Sequence, residues 1–236
     1  MKSNEPLWKN WLSYLFEWHI ESRSSEYNPH LYVSLKQGRY QLSTANAVYS
    51  FSDLYTNFGD TFKLMDWKAN PVQKVLVLGL GLGSIPLLLE EHLGQDFQCT
   101  AIEIDEAVIG LASKYGLPGV SAPIEVICAN AQAYMAQSQE RFDLICMDIF
   151  LDDSVPTYFE GETFLESLRD HLNPNGILLY NRLAATKRDI KATHTFFQDH
   201  FLKMFPTGEY LPLVGNWMLV NQTGLFKRQR NGKLQL

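Results

Sequence analysis

The 236 residues contain no apolar run long enough to cross a bilayer. The longest, residues 75–89, is broken by Gly79, Gly81, Gly83, Ser84 and Pro86 and falls short of the roughly 20 residues that a spanning helix needs. The start, MKSNEP, leads into a Trp-rich segment interrupted by Glu17 and His19, not into the apolar core and small-residue cleavage site of a secretion signal, so a cytoplasmic location is expected. Positive charge is short as well: 20 Lys+Arg stand against 26 Asp+Glu, a formal net charge of -6. No global basic field exists to hold a nucleic-acid backbone, and no nucleic-acid partner is expected. Cysteines are few. Cys99, Cys128 and Cys146 each lie in an apolar run with no C-x-x-C spacing and no neighbouring His, the pattern of buried reduced thiols. The histidines at 19, 30, 92, 171, 194 and 200 lack ligand spacing, so no metal is expected. Neither a G-x-S-x-G elbow nor a P-loop G-K-[ST] is present, which removes the hydrolase and NTPase readings that those motifs mark.

What is there begins with aromatics. Leu7, Trp8, Trp11, Leu12, Tyr14, Leu15, Phe16 and Trp18 recur at spacings of three and four, predicting an amphipathic helix over residues 7–20 that packs on the domain's own core, with a partner face at a homodimer contact as the alternative. Residues 30–35 and 39–44 read as a hairpin turning at Lys36-Gln37-Gly38, and residues 48–58 as a short helix. After Pro71 the pattern becomes apolar strands (74–78, 98–104, 124–128, 142–149, 177–180) alternating with helices (84–92, 106–114, 132–137, 162–171). That alternation predicts an α/β fold, a doubly wound parallel sheet covered on both faces. A helix over 185–205 and a closing antiparallel hairpin, 209–214 and 217–221 about Gly215-Asn216, complete it. The expected organisation is an N-terminal helix, hairpin and gate segment (1–70), a ligand-binding α/β domain (71–225) and a basic tail (226–236).

The chemistry collects at strand ends. In VLVLGLGLGSIP a buried strand runs into Gly79, Gly81 and Gly83 and a helix begins near Ser84, so backbone comes close to a ligand beside free N–H groups. The spacing is G-x-G-x-G, not the dinucleotide G-x-G-x-x-G. Twenty positions on, Glu103 ends the second strand, where a carboxylate accepts ribose hydroxyls. Asn130 and Ala131 follow the third strand, where a side-chain amide reads an adenine amino group, and Asp148 follows the fourth, before Asp152 and Asp153.

With these residues in register, the chain resembles the class I S-adenosylmethionine-dependent methyltransferases, and within them the spermidine synthase branch of aminopropyltransferases. The resemblance implies a Rossmann-like methyltransferase sheet, five parallel strands plus a terminal antiparallel hairpin. It further implies that Gly79 to Gly83 underlie the amino-acid part of S-adenosylmethionine, that Glu103 holds the ribose and that Asn130 with Ala131 faces adenine. Asp148 would sit beside the sulfonium, and Tyr49 in AVYSFSDLY would belong to the substrate gate. The chain departs from that branch in three places: Leu82 replaces the glycine-loop Asp, Leu151 replaces a second Asp, and Tyr49 is followed by Ser50 and Phe51. Leu82 removes a negative charge from where the intact cofactor keeps its carboxylate, so the expected function is methyl transfer from S-adenosylmethionine to a small-molecule acceptor. Asp148 or Asp152 would be the base, with Tyr49, Asp153 and Tyr158 against the substrate. The alternative is aminopropyl transfer from decarboxylated S-adenosylmethionine to putrescine; a second alternative is a non-catalytic nucleoside- or partner-binding protein.

Overall fold

The computed structural model describes residues 5–45, 47–150 and 156–227. Asp152, Asp153 and Leu151, and the tail beyond Lys227, lie outside the described residues.

The N-terminal part departs from the expected long helix. Only α1 (Leu7–Leu12) is helical, and β1 (Trp18–Arg23) follows, antiparallel to β2 (Leu31–Lys36) with Trp18 opposite Leu35. At six residues α1 makes fewer than two turns and buries none of its side chains; Trp11 is 67% exposed. The expected packing of that face on the domain's own core is therefore not met. The aromatic periodicity continued past the helix because Trp18 and Ile20 serve a strand, where cross-strand packing outweighs local spacing. The expected hairpin is present as β2 and β3 (Arg39–Ser43), inside a four-stranded antiparallel sheet that β4 (Val48–Ser50) completes. The helix expected over 48–58 is thus a strand, a 3₁₀ turn (Ser52–Leu54) and only then α2 (Thr56–Leu64). Ser52 has φ +49, a conformation that no helix continues through.

The second sheet has seven strands. They are β5 (Lys74–Leu78), β6 (Gln98–Glu103), β7 (Ile124–Cys128), β8 (Phe142–Met147), β9 (Leu172–Leu183), β10 (Glu209–Pro212) and β11 (Asn216–Val220), in spatial order β10-β11-β9-β8-β5-β6-β7. β5 to β9 are parallel; β10 and β11 close the edge as an antiparallel pair. Alternate residues of β5 serve opposite layers. Val75 and Val77 pack with Phe58, Phe62, Leu88 and Leu89 beneath α2 and α3 (Ser84–Leu93), while Leu76 and Leu78 pack with Met135, Leu165 and Phe201 on the other face. That two-faced burial is why the strand reads as an unbroken apolar run. The remaining helices are α4 (Glu106–Tyr115), α5 (Ala131–Gln137), α6 (Glu162–Asp170) and α7 (Lys187–Phe196), the last continuing through a π-type turn to Met204. The four-stranded sheet packs on α4: Leu31, Val33 and Leu42 meet Val108, Leu111 and Leu82.

Cys99 and Cys146 are buried, as expected, and burial pushes the Cys99 thiol up to about 12. Cys128 is exposed, contrary to expectation, because it ends β7, the edge strand. Asn216 lies in β11 and not in the turn before it.

Candidate active site

The carboxyl ends of β5, β6, β7 and β8, the segment from Ala47 to Asn57 and the region after β9 enclose a cavity of about 690 Å³, within the range of small-molecule sites. Gly79 and Gly81 form its floor. Gly79 has φ +93, and a Cβ there would run into the Asp148 backbone carbonyl; Gly81 has φ +54 and lies under Tyr49 and Ser50. Gly83 stands apart: it precedes α3, packs against Leu117 and does not line the cavity. Ser84 ties the glycine loop to the end of β4 through the Ser50 hydroxyl at 2.7 Å and an N–H donated by Phe51 at 3.2 Å.

Glu103, at the end of β6, accepts N–H groups from Leu80 at 3.2 Å and Asp105 at 3.1 Å, one on each carboxylate oxygen. Burial pushes its carboxyl above the usual range, partly offset by those donors. Each oxygen keeps a lone pair for a ligand hydroxyl. Asp105 is itself buried, caps α4 through the Ala107 N–H and accepts from Asn28 at 2.7 Å; Asn28 in turn accepts from the Tyr49 hydroxyl at 3.0 Å. Tyr49 is thereby joined to the strand end that carries Glu103.

Asn130 lines the cavity beside Ala131, but its Oδ1 caps α5, accepting from Gln132 at 2.9 Å and Ala133 at 3.2 Å. What it retains for a ligand is an N–H₂ donor, suited to a purine ring nitrogen and not to the exocyclic amino group expected from the sequence.

Asp148 follows β8 and lines the cavity. The Tyr55 hydroxyl donates to its two oxygens at 2.9 and 3.2 Å, and Asn181 of β9 donates at 2.8 Å. Asn216 donates to Asn181 at 2.9 Å, fixing which way that amide faces. Burial raises the Asp148 carboxyl to about 6, against the two hydrogen bonds that lower it. Burial and the neighbouring carboxylate push the Tyr55 hydroxyl well above its ordinary value. A carboxylate poised near neutrality and oriented by two donors is equipped to accept a proton.

Tyr158 is on the rim, 44% exposed, in a 3₁₀ turn (Thr157–Glu160). Leu82, read from sequence as a cavity position, lies in the core under the N-terminal sheet and is absent from the lining. Sequence reasoning missed Tyr55, Asn181, Asn216 and Asn28. The signals were present: Tyr55 ends the same AVYSFSDLY segment as Tyr49, and Asn181 is a polar residue that closes the apolar run ILLY.

The charge of the cavity is one-sided. Among the described lining residues Glu103, Asp148 and Asp189 are carboxylates, and none is Lys, Arg or His. Among the described residues no group of His, Cys, Asp and Glu is arranged to hold a metal ion, and no helix is long and apolar enough to cross a membrane.

Comparison with known proteins gives the same architecture. The family model for the spermine/spermidine synthase domain matches residues 64–224. A probable polyamine aminopropyl transferase of Bifidobacterium longum is 29% identical over 113 residues, 48% of this chain and 25% of the relative. The human eEF1A lysine and N-terminal methyltransferase is 27% identical over 119 residues, 45% of this chain and 17% of the relative. These matches therefore span a quarter or less of either curated relative. A spermidine synthase structure from Thermotoga maritima superposes with a TM-score of 0.67 at 19% identity, covering 89% of this chain and 76% of that one, a likeness of fold.

Proposed function

The chain belongs to the spermine/spermidine synthase domain family, and from that premise we propose that it transfers an aminopropyl group from decarboxylated S-adenosylmethionine to an amine acceptor. The observation that carries the reading is the cavity lining, with three carboxylates and no described cation. Intact S-adenosylmethionine brings a carboxylate that would find no cationic partner there. The decarboxylated donor carries only a sulfonium and an ammonium, and an amine acceptor adds positive charge that the carboxylates offset.

In this reading Glu103 holds the ribose hydroxyls, Asn130 reads a purine ring nitrogen, and Gly79 and Gly81 let the donor's chain lie against backbone. Asp148 orients the acceptor nitrogen and takes the proton that it loses. The nitrogen bonds to the propyl carbon as the carbon–sulfur bond breaks, and sulfur departs as a neutral thioether. Tyr55 and Asn181 hold the Asp148 carboxylate in place. Alignment of nucleophile, carbon and sulfur supplies much of the acceleration, up to about 7 to 11 kcal/mol.

Methyl transfer from intact S-adenosylmethionine is the second reading. It is favoured by Leu151, where the sequence departs from the synthase branch, and by the partial match to a protein methyltransferase. The two readings differ in products. With decarboxylated donor and putrescine, mass spectrometry is expected to find methylthioadenosine and an amine longer by one aminopropyl unit. A methylated product with intact donor, and no elongated amine, would reverse the assignment.

A further inference from the structure

The hydrogen bonds behind Tyr49 run in one direction, and a buried carboxylate sets it. Asp105 is 1% exposed. Its Oδ1 accepts the Ala107 N–H at 2.9 Å, and its Oδ2 accepts the Ser25 hydroxyl at 2.5 Å and the Asn28 side-chain amide at 2.7 Å. A carboxylate only accepts, so Asn28 turns its NH₂ toward Asp105 and its carbonyl oxygen the other way. That oxygen takes the Tyr49 hydroxyl at 3.0 Å. A tyrosine has one proton to give, and that of Tyr49 is committed to Asn28. Ser25 fixes the same sense: its oxygen accepts the Asn28 backbone N–H at 3.0 Å while its proton goes to Asp105.

The wall that results lies beside the glycine turn. Asn28 and Tyr49 line the cavity with Gly81, and a Cβ on Gly81 would come within 3.1 Å of the Tyr49 backbone carbonyl. In the aminopropyl-transfer reading the chain of the nucleoside lies against that turn. On this chain intact S-adenosylmethionine carries a carboxylate, which needs a hydrogen-bond donor, and the Tyr49 hydroxyl has no proton for it. The decarboxylated form carries only an ammonium, which donates and makes no such demand.

We propose that Asp105 is a positioning residue for the choice of nucleoside: acting through Asn28, it keeps Tyr49 from donating into the cavity and so disfavours a nucleoside that carries a carboxylate. The inference rests on the aminopropyl-transfer reading and adds to it the groups that enforce the choice.

The test is the ratio of affinities for decarboxylated and intact S-adenosylmethionine, read by calorimetry on variants of the full chain. Asp105→Asn keeps the α4 cap, since Asn serves an N-cap as well as Asp, but offers Asn28 an amide where the carboxylate was. Asn28 then turns over, its NH₂ faces the Tyr49 oxygen, and the Tyr49 proton is released to the cavity. The preference for the decarboxylated form is expected to narrow about 3- to 10-fold, as one gained hydrogen bond allows, through tighter binding of the intact form. Adding Asn28→Asp to Asp105→Asn exchanges amide and carboxylate, so that position 28 again accepts the Tyr49 proton, and is expected to return the wild-type ratio. Adding Tyr49→Phe to Asp105→Asn removes the proton itself and is expected to cancel the gain. Asn28→Ala releases the Tyr49 proton without touching the Asp105 cap; it is expected to narrow the preference as Asp105→Asn does, and decides the matter if Asp105→Asn fails to fold. A wild-type ratio in Asn28→Ala and in folded Asp105→Asn would overturn the proposal. Equal weakening of both nucleosides with a lowered Tm, unrelieved by the exchange, would overturn it as well and assign these residues to holding the N-terminal sheet alone. A wild-type protein that prefers the intact form would overturn the aminopropyl reading itself, before any variant is made.

Discussion

In the proposed reaction Asp148 is the residue on which the chemistry turns, and its protonation sets two opposite pH dependences. Burial raises its carboxyl to about 6, so turnover is expected to fall as pH drops through about 6 and the base becomes protonated. Stability runs the other way. A carboxyl whose folded pKa exceeds its unfolded value of about 3.9 contributes stability that is full below that value and is lost as pH rises through about 6. Asp148→Asn is therefore expected to abolish turnover and, at pH 7 to 8, to raise stability by on the order of 1 to 3 kcal/mol, read by denaturant titration. Tyr55→Phe removes a donor that favours the charged form, so the acidic limb of the rate profile is expected to move up by about one pH unit. Glu103→Ala is expected to weaken donor binding by about 1 to 3 kcal/mol, read by calorimetry; unchanged affinity would remove the ribose assignment. Glu103 and Asp148 were legible because strand ends can be counted from apolar runs. Asn216 was not, since it reaches the site only through Asn181, 35 residues away in sequence.

Among the elements, the β5 turn shows how backbone makes the site. Gly79 has φ +93 and no room for a side chain against the Asp148 carbonyl. Gly79→Ala is expected to cost about 1 to 3 kcal/mol in backbone strain alone, with displacement of the Asp148 segment and loss of donor binding; a variant with wild-type Tm and affinity would contradict that account. The central parallel strands β5 and β8 were readable because they are buried apolar runs, and three of the following helices because their starts are capped: Asp105 caps α4, Asn130 caps α5 and Thr186 with Asp189 forms the capping box of α7. The N-terminal elements were not. Trp18 and Ile20 continue the helical spacing of α1, but pairing of β1 with β2 decides their conformation. Likewise the positive φ of Ser52 divides the expected helix into β4 and α2. Leu82 is an instance with functional weight: its sequence position suggested a missing cavity charge, whereas its side chain belongs to the hydrophobic contact between the N-terminal sheet and α4.

For the whole molecule the net charge of -6 says less than where the carboxylates lie. Glu103 at β6, Asp148 at β8 and Asp189 beyond β9 face one cavity. A cavity of that sign is expected to discriminate between two donors that differ by a single carboxylate. Calorimetric titration of the purified protein with decarboxylated and intact S-adenosylmethionine, side by side, tests this most directly. Tighter binding of the decarboxylated form, by about tenfold or more, corresponding to at least about 1.4 kcal/mol, is the predicted result. Tighter binding of the intact form would contradict it and return the site to methyl transfer.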